Sequence, residues 1–225
     1  MNLDAAYALV APALRVLSGR RGPTRIYVEG NVGSGKTTIV EELRRALEQR
    51  GKRACAFPEQ IERWTHQRLL GDALENRSTA SSRAFHALGP LRDFVDRKRF
   101  LDAHASEYEY AIFERHPRTT LRVFGANEDD ATRGLYESLH AGFPFMEPPE
   151  ITIYLRASPE TCLSRVRARG RPEERDVDVD RLREIDLRQE RDVADREREG
   201  LVVHVVSDLD TKSTSGVVKQ ILELV

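Results

Sequence analysis

This 225-residue sequence has no long apolar run, and no stretch approaches membrane-spanning length. Neither a spanning helix nor a membrane partner is therefore expected. Cysteine is scarce. Cys55 and Cys162 fall inside apolar runs and make neither a zinc spacing nor a disulfide framework. Two such thiols suit a reducing compartment, so an intracellular, cytoplasmic location is expected. An excess of one charge is missing too: 36 Lys and Arg stand against 37 Asp and Glu, for a net charge of −1. That balance lacks the electrostatic footprint of a nucleic-acid binder. Asn-Lys-x-Asp and Asp-x-x-Gly do not occur, which speaks against a guanine-nucleotide switch. No internal repeat and no low-complexity linker divides the chain, so residues 1–225 read as one domain. Residues 1–22 form an N-terminal helix or extension, with Leu3, Tyr7, Val10, Leu14 and Leu17 at helical spacing. A targeting peptide can look similar. Asp4 and the lack of early Arg or Ser favour a helix, while mitochondrial targeting and a viral origin stay open.

What is present begins with Arg25-Ile26-Tyr27-Val28-Glu29, a short apolar run. Gly30-Asn31-Val32-Gly33-Ser34-Gly35-Lys36-Thr37 follows and fits G-x-x-x-x-G-K-[ST] at every fixed position, with Thr38 after it. Apolar residues then recur at helical spacing through Leu47, so the motif joins a strand to a helix, the context that gives it meaning. Glycines let backbone N–H groups turn inward on an anion, and the helix N-terminus adds partial positive charge. Lys36 can reach the β- and γ-phosphates of a nucleotide, and the Thr37 hydroxyl can bind Mg²⁺.

Five apolar runs read as strands, at residues 25–29, 53–57, 109–113, 150–155 and 201–205. Each is near-continuous rather than alternating, as when both sheet faces are covered. Helical patterns lie between them at 37–49, 78–103, 159–169, 179–198 and 211–224. Residues 124–149 lose periodicity, with a short helix at 135–139. Strands alternating with helices give right-handed βαβ units. The expected fold is α/β: a P-loop NTPase-type parallel sheet of five strands, helices on both faces and an arginine-rich lid.

Ligands of such sheets bind at the carboxyl ends of the strands. Glu59 follows the second strand immediately after Pro58, where a carboxylate could accept a proton from an attacking hydroxyl. A surface glutamate before a helix would look the same. Trp64, the single tryptophan, could wall a pocket for a flat ligand or sit in the core. Glu114 ends the third strand in the position of a carboxylate that holds Mg²⁺. Arg115 beside it could clamp an anion or steady Glu59. After the fourth strand, Arg165 and Arg169 share a helix face, Gly170 suits a helix end, and Arg171 follows at once. These guanidiniums on a Gly-Arg-Pro flap match what a phosphoryl-transfer lid needs: positive charge brought in on closure. Residues 184–198 read as a salt-bridged surface helix.

Together these pieces resemble the deoxynucleoside kinase family, which includes deoxycytidine and deoxyguanosine kinases and relatives among viral thymidine kinases. The matching segments are IYVEGNVGSGKTT, FPEQIERW, FERHPRTTLRVF and IYLRASPETCLSRVRARGRPEE, from about Arg25 to Glu174. The resemblance implies that Glu59 takes the 5′-hydroxyl proton, Glu114 binds Mg²⁺ and Arg115 holds the 5′-oxygen region. Arg165, Arg169 and Arg171 would grip phosphates, Glu174 would contact the sugar 3′-hydroxyl, and Trp64 would border the base pocket. Asp208 and Asp210 lie where the family's adenine-contacting loop would. ATP, Mg²⁺, a small-molecule deoxynucleoside and a homodimer are implied in the same way. The sequence also departs from the pattern. His86 follows Phe85 where the family has a glutamine, the third motif reads Glu-Arg-His rather than Glu-Arg-Ser, and Thr120 stands where deoxycytidine-preferring members carry aspartate. The last departure argues for thymidine or a broad pyrimidine range.

The expected activity is transfer of the ATP γ-phosphoryl group to the 5′-hydroxyl of a deoxynucleoside. A nucleoside monophosphate kinase is the nearest rival and needs an extra cationic site. A nucleotide-binding module without turnover is the remaining alternative.

Overall fold

The computed structural model describes residues 22–59, 80–104, 106–125, 129–141, 150–207 and 209–225. The expected N-terminal helix falls outside them. Five strands, β1 (Thr24–Gly30), β2 (Ala54–Phe57), β3 (Tyr110–Glu114), β4 (Glu150–Leu155) and β5 (Val202–Val206), form one sheet in the order β2-β3-β1-β4-β5. Every pairing is parallel. The strand positions match the sequence expectation to within one residue at each end, and the α/β assignment holds.

Side chains alternate across a strand, so β1 sends Ile26 and Val28 to one face and Tyr27 and Glu29 to the other. Both faces are buried. Ile26, Val28, Ile112, Ile153 and Leu155 pack on Ile39, Leu43 and Leu47 of α1 (Lys36–Gln49) and on Val217, Val218 and Ile221 of α6 (Thr214–Leu222). On the opposite face Tyr27, Phe113 and Phe57 stack in a row with centroids 4.9 Å apart at each step, against Leu101 of α2 (Ala80–His104). Between β3 and β4 runs α3 (Asp130–Ala141), longer than the short helix expected there. Asp129 accepts the Thr132 N–H at 2.8 Å and so caps its start, while Gly134 interrupts the helical pattern that would have revealed it. α4 (Pro159–Arg169) starts under a Ser158 cap, and it ends at Gly170 in the left-handed conformation, the helix end expected from the sequence.

α5 (Val179–Arg198) corrects the reading of a purely surface helix. Its outer face does carry ion pairs such as Arg183–Asp180. Its inner face buries Leu182, Ile185, Gln189, Asp192, Val193 and Arg196. Arg196, 1% exposed, donates to Asp192 Oδ2 at 2.9 Å, Thr119 Oγ1 at 2.9 Å and Thr152 Oγ1 at 3.3 Å. A buried guanidinium is tolerated because its donors find these acceptors.

β1 lies between β3 and β4, so sheet growth reverses there and a crevice opens at its carboxyl end. The phosphate-loop motif begins at that point. The packing predicts that Ile112→Ala, in the fully buried centre of β3, lowers unfolding free energy by about 2–5 kcal/mol. Leu187→Ala, on the exposed side of α5, stays within about 0.5 kcal/mol of the parent protein. Urea titration of the two variants checks both, and equal effects would contradict the assigned faces.

Candidate active site

The loop from Gly30 to Gly35 is shaped by close approach on one side and open space on the other. A Cβ on Gly33, at φ 82°, would sit 2.5 Å from the Cys162 carbonyl oxygen of α4. Gly35, at φ 98°, has nothing within 4 Å of where a Cβ would lie. Its conformation demands glycine, and it leaves the mouth of α1 open. α1 has no side-chain cap and no acidic residue in its first turn, so its first N–H groups are available to an anion. Asn31 braces the loop. Its Nδ2 donates to Leu182 O at 2.8 Å and its Oδ1 accepts the Val32 N–H at 2.8 Å. Ser34 is buried, while Thr37 and Thr38 are exposed at the helix mouth. Lys36 turns back along the loop and donates to Gly30 O at 3.0 Å and Asn31 O at 2.8 Å. Burial pushes its ammonium pKa down to about 8; neighbouring Arg115 acts in the same direction, and Glu114 and Glu59 oppose it.

Glu114 joins this loop to the next strand end. Its Oε1 accepts the Thr37 hydroxyl at 3.0 Å and its Oε2 accepts the Glu59 N–H at 3.0 Å. Arg115 then donates from Nε to Glu59 Oε1 at 2.9 Å and lies over the Phe124 ring, 4.6 Å from its centroid. Burial pushes the Glu59 carboxyl up, but Arg115 and Lys36 outweigh it, so Glu59 lies below the usual carboxylate range and is ionised at neutral pH. Thr37, Glu114, Glu59 and Arg115 thus form one connected chain. The Thr37 hydroxyl and the Glu114 carboxylate are hard oxygen donors, the kind a magnesium ion takes from a protein alongside substrate phosphates. Among the described residues no cluster of three His, Cys, Asp or Glu side chains is arranged to hold a metal. A magnesium site of this type does not need one.

The turn after Arg115 was not anticipated. Pro117–Thr119 forms an α-turn that runs into a π-helical turn, Thr120–Phe124. His116, the departure from Glu-Arg-Ser, starts it: Nδ1 accepts the Arg118 N–H at 3.0 Å, the capping role a serine hydroxyl fills. The buried ring also meets Tyr27 edge-on, with centroids 4.5 Å apart. Thr120 opens the π-turn and Phe124 closes it beneath Arg115.

The arginines of the lid segment do not act as one group here. Arg165 donates to Ser34 O at 3.3 Å and Leu209 O at 2.7 Å, tying α4 to the phosphate loop. Arg169 makes a two-pronged pair with buried Glu174, the shortest contact being 2.6 Å, and Arg171 reaches the same carboxylate at 3.4 Å. Asp210 accepts the Ser158 N–H at 3.2 Å, at the start of α4. His86 falls on α2, where only the helical backbone is described. Trp64 and Asp208 lie outside the described residues.

Two residues at the site went unassigned from the sequence. Phe124 gave no signal beyond being aromatic. Glu29 did give one: it is a charged residue ending a strand that is buried on both faces, and its carboxylate holds the turn after Arg115 through His116 N at 2.7 Å and Thr119 Oγ1 at 2.6 Å.

Known proteins resemble this chain in sequence and in fold. Deoxycytidine kinase 2 of Gallus gallus is 25% identical over 195 residues, covering 74% of this chain and 72% of that protein. Deoxycytidine kinase 1 of Xenopus laevis is 27% identical over 195 residues, covering 74% of this chain and 72% of that protein. The solved structure of a deoxyadenosine kinase from M. mycoides, with products dCMP and a flexible dCDP bound, matches with a TM-score of 0.68 at 20% identity. That match covers 89% of this chain and 97% of the other, and it is a likeness of fold. A family model described as deoxynucleoside kinase matches residues 26–225, and by that match the chain is a kinase of the deoxynucleoside kinase family.

Proposed function

We propose that the protein transfers the γ-phosphoryl group of ATP to the 5′-hydroxyl of a deoxynucleoside, with pyrimidine deoxynucleosides as acceptors. One observation carries the reading: a single carboxylate, Glu114 at the end of β3, links the phosphate-loop Thr37 after β1 to Glu59 after β2, on either side of it. In the reaction the 5′-oxygen forms a bond to the γ-phosphorus, the bond to the bridging β–γ oxygen breaks, and the hydroxyl proton passes to Glu59. Arg115 keeps Glu59 ionised and aimed until then. Lys36 leaves the loop carbonyls to meet the β- and γ-phosphates. Arg169 and Arg171 exchange Glu174 for phosphate oxygens, freeing Glu174 for the sugar 3′-hydroxyl. Arg165 braces the loop backbone. Mg²⁺, which Thr37 and Glu114 would hold, supplies charge neutralisation at the phosphates. Little covalent work falls to the protein, and positioning and charge carry the rate.

The acceptor side supports a nucleoside over a monophosphate. Glu59 and Glu114 meet there, and two carboxylates repel a second phosphate unless a further cationic site offsets them. Two readings bear on the base. Relatives named deoxycytidine kinases favour deoxycytidine, and a threonine at position 120 in place of aspartate favours thymidine. Both are pyrimidines. His86, Thr120 and Trp64 are the residues assigned to base selection.

Glu59→Gln removes the proton acceptor and is expected to lower kcat about 10²–10⁴-fold while leaving ATP affinity within twofold or so. Full turnover in that variant would remove Glu59 from the base role. A panel of the four deoxynucleosides with thymidylate as fifth acceptor tests the substrate class, and turnover of thymidylate alone would move the protein to the monophosphate kinases. The lowered Lys36 pKa gives a third expectation. A phosphate raises that pKa, so above pH 8 ATP binding takes up a proton and weakens by up to about tenfold per pH unit. Calorimetry from pH 7 to 9.5 in buffers of differing ionisation heat measures both effects. A flat affinity would refute the lysine assignment.

A further inference from the structure

Glu29 stands directly before the phosphate loop, yet its hydrogen bonds go to the turn on the acceptor side. It is 4% exposed. Its Oε1 accepts from the His116 N–H at 2.7 Å and from the Thr119 hydroxyl at 2.6 Å. The Arg115 N–H is itself bonded to Val28 O at 3.0 Å, so Arg115 is fixed at the backbone on one side and the residue after it on the other. Between those two anchors Arg115 adopts φ 64°, the only positive φ of a non-glycine residue among the described residues. A left-handed arginine is disfavoured and persists only where its surroundings over-determine it. Relaxation to negative φ would carry the guanidinium away from Glu59 and from the Phe124 ring. Arg196 approaches the same oxygen, with Nη2 3.6 Å from Oε1, and also donates to Thr119 at 2.9 Å; burial still outweighs it and holds the Glu29 carboxyl above the usual carboxylate range. The carboxylate is thus held in place by both the turn and α5.

We infer that Glu29 is a positioning residue: its carboxylate holds the 116–119 turn so that Arg115 stays left-handed and keeps Glu59 aimed at the acceptor hydroxyl. The inference rests on Glu59 being the proton acceptor. It concerns reach and hydrogen-bond acceptance rather than charge. Gln at position 29 can accept the same two bonds, whereas Asp is one methylene short and Ala accepts neither.

The test is steady-state and single-turnover kinetics on the full-length protein with ATP, Mg²⁺ and the best acceptor of the panel. Glu29→Ala and Glu29→Asp are expected to lower kcat about 100-fold, with ATP affinity by calorimetry unchanged. Glu29→Gln is expected to retain kcat within about fivefold. Adding Glu29→Ala to Arg115→Ala should cost little beyond Arg115→Ala alone, because both act through one contact. Parent-like kcat in Glu29→Ala overturns the inference, as do equal losses in Gln and Ala or additive losses in the double variant. If Glu29→Ala does not fold, Thr119→Val carries the test: it removes one donor to Glu29 and one acceptor of Arg196, keeps the shape, and is expected to lower kcat about tenfold. Parent-like kcat there overturns the inference too. Failure of the underlying reading shows separately, as full activity in Glu59→Gln.

Discussion

The site depends on one carboxylate shared between two strand ends. Glu114 closes β3, and β3 is hydrogen-bonded to both β1 and β2. Parallel pairing brings the carboxyl ends of all three strands to the same edge, so one side chain from the middle strand can reach both neighbours. Its Oε1 takes the hydroxyl of the phosphate loop, and its Oε2 takes the N–H of Glu59. Were β3 at the edge of the sheet, no single residue could bridge them. The strand order is therefore a chemical statement as well as a topological one. It places the ionised Glu59, the proton acceptor of the proposed reaction, one side chain away from the Thr37 hydroxyl of the phosphate loop.

Behind this edge the sheet conceals a polar layer that is unusual for a protein interior. Glu29, Thr119, Thr152, Asp192 and Arg196 are all at most 5% exposed, and they bond one another. Burying charge is costly even when it is paired, and an apolar replacement of the same shape is often at least as stable. Such a layer is best understood by what it orients. Its hydrogen bonds converge on the turn that follows Arg115, where the backbone departs from ordinary conformations. Apolar contacts are non-directional and could not impose a left-handed arginine. Directional bonds from a buried carboxylate can.

How much of this was legible in the sequence follows from the kind of signal each part leaves. Strands buried on both faces are near-continuous apolar runs, and Ile151–Leu155 or Tyr110–Phe113 can be read at sight. The phosphate loop was legible because its glycines answer steric demands that no other residue meets, such as the 2.5 Å approach of a Gly33 Cβ to Cys162 O. Glu59, Glu114 and Arg115 were found by position at strand ends, and the structure brings them together. The inner face of α5 was not found. In a run where charged residues dominate, nothing local separates Arg196, which is 1% exposed, from Arg198, which lies on the surface. That distinction comes from Thr119 and Thr152, distant in sequence. The π-turn escaped for a related reason. Its start depends on a histidine used as a cap, and its end on an aromatic ring held under an arginine.

The charges of the site also say what nucleotide binding must accomplish. Lys36 and Arg115 face Glu29, Glu59 and Glu114, two cations among three carboxylates. Of the lid arginines, Arg169 and Arg171 are paired with Glu174, while Arg165 is held by the Ser34 and Leu209 carbonyls. Most of the positive charge near the loop is therefore already engaged by internal acceptors. On the proposed reading, a polyphosphate gains its full set of contacts only by displacing Lys36 from two carbonyls and Arg169 and Arg171 from one carboxylate. Each exchange replaces an internal hydrogen bond with one to phosphate, so the net gain per bond is modest and the gain from many bonds made together is large. A single phosphate or sulfate can make only part of the exchange. A triphosphate offers more oxygens and, on the proposed reading, makes all of it. In the proposed reaction Glu174 is released only in that case, which would tie its readiness for the sugar to arrival of the complete donor.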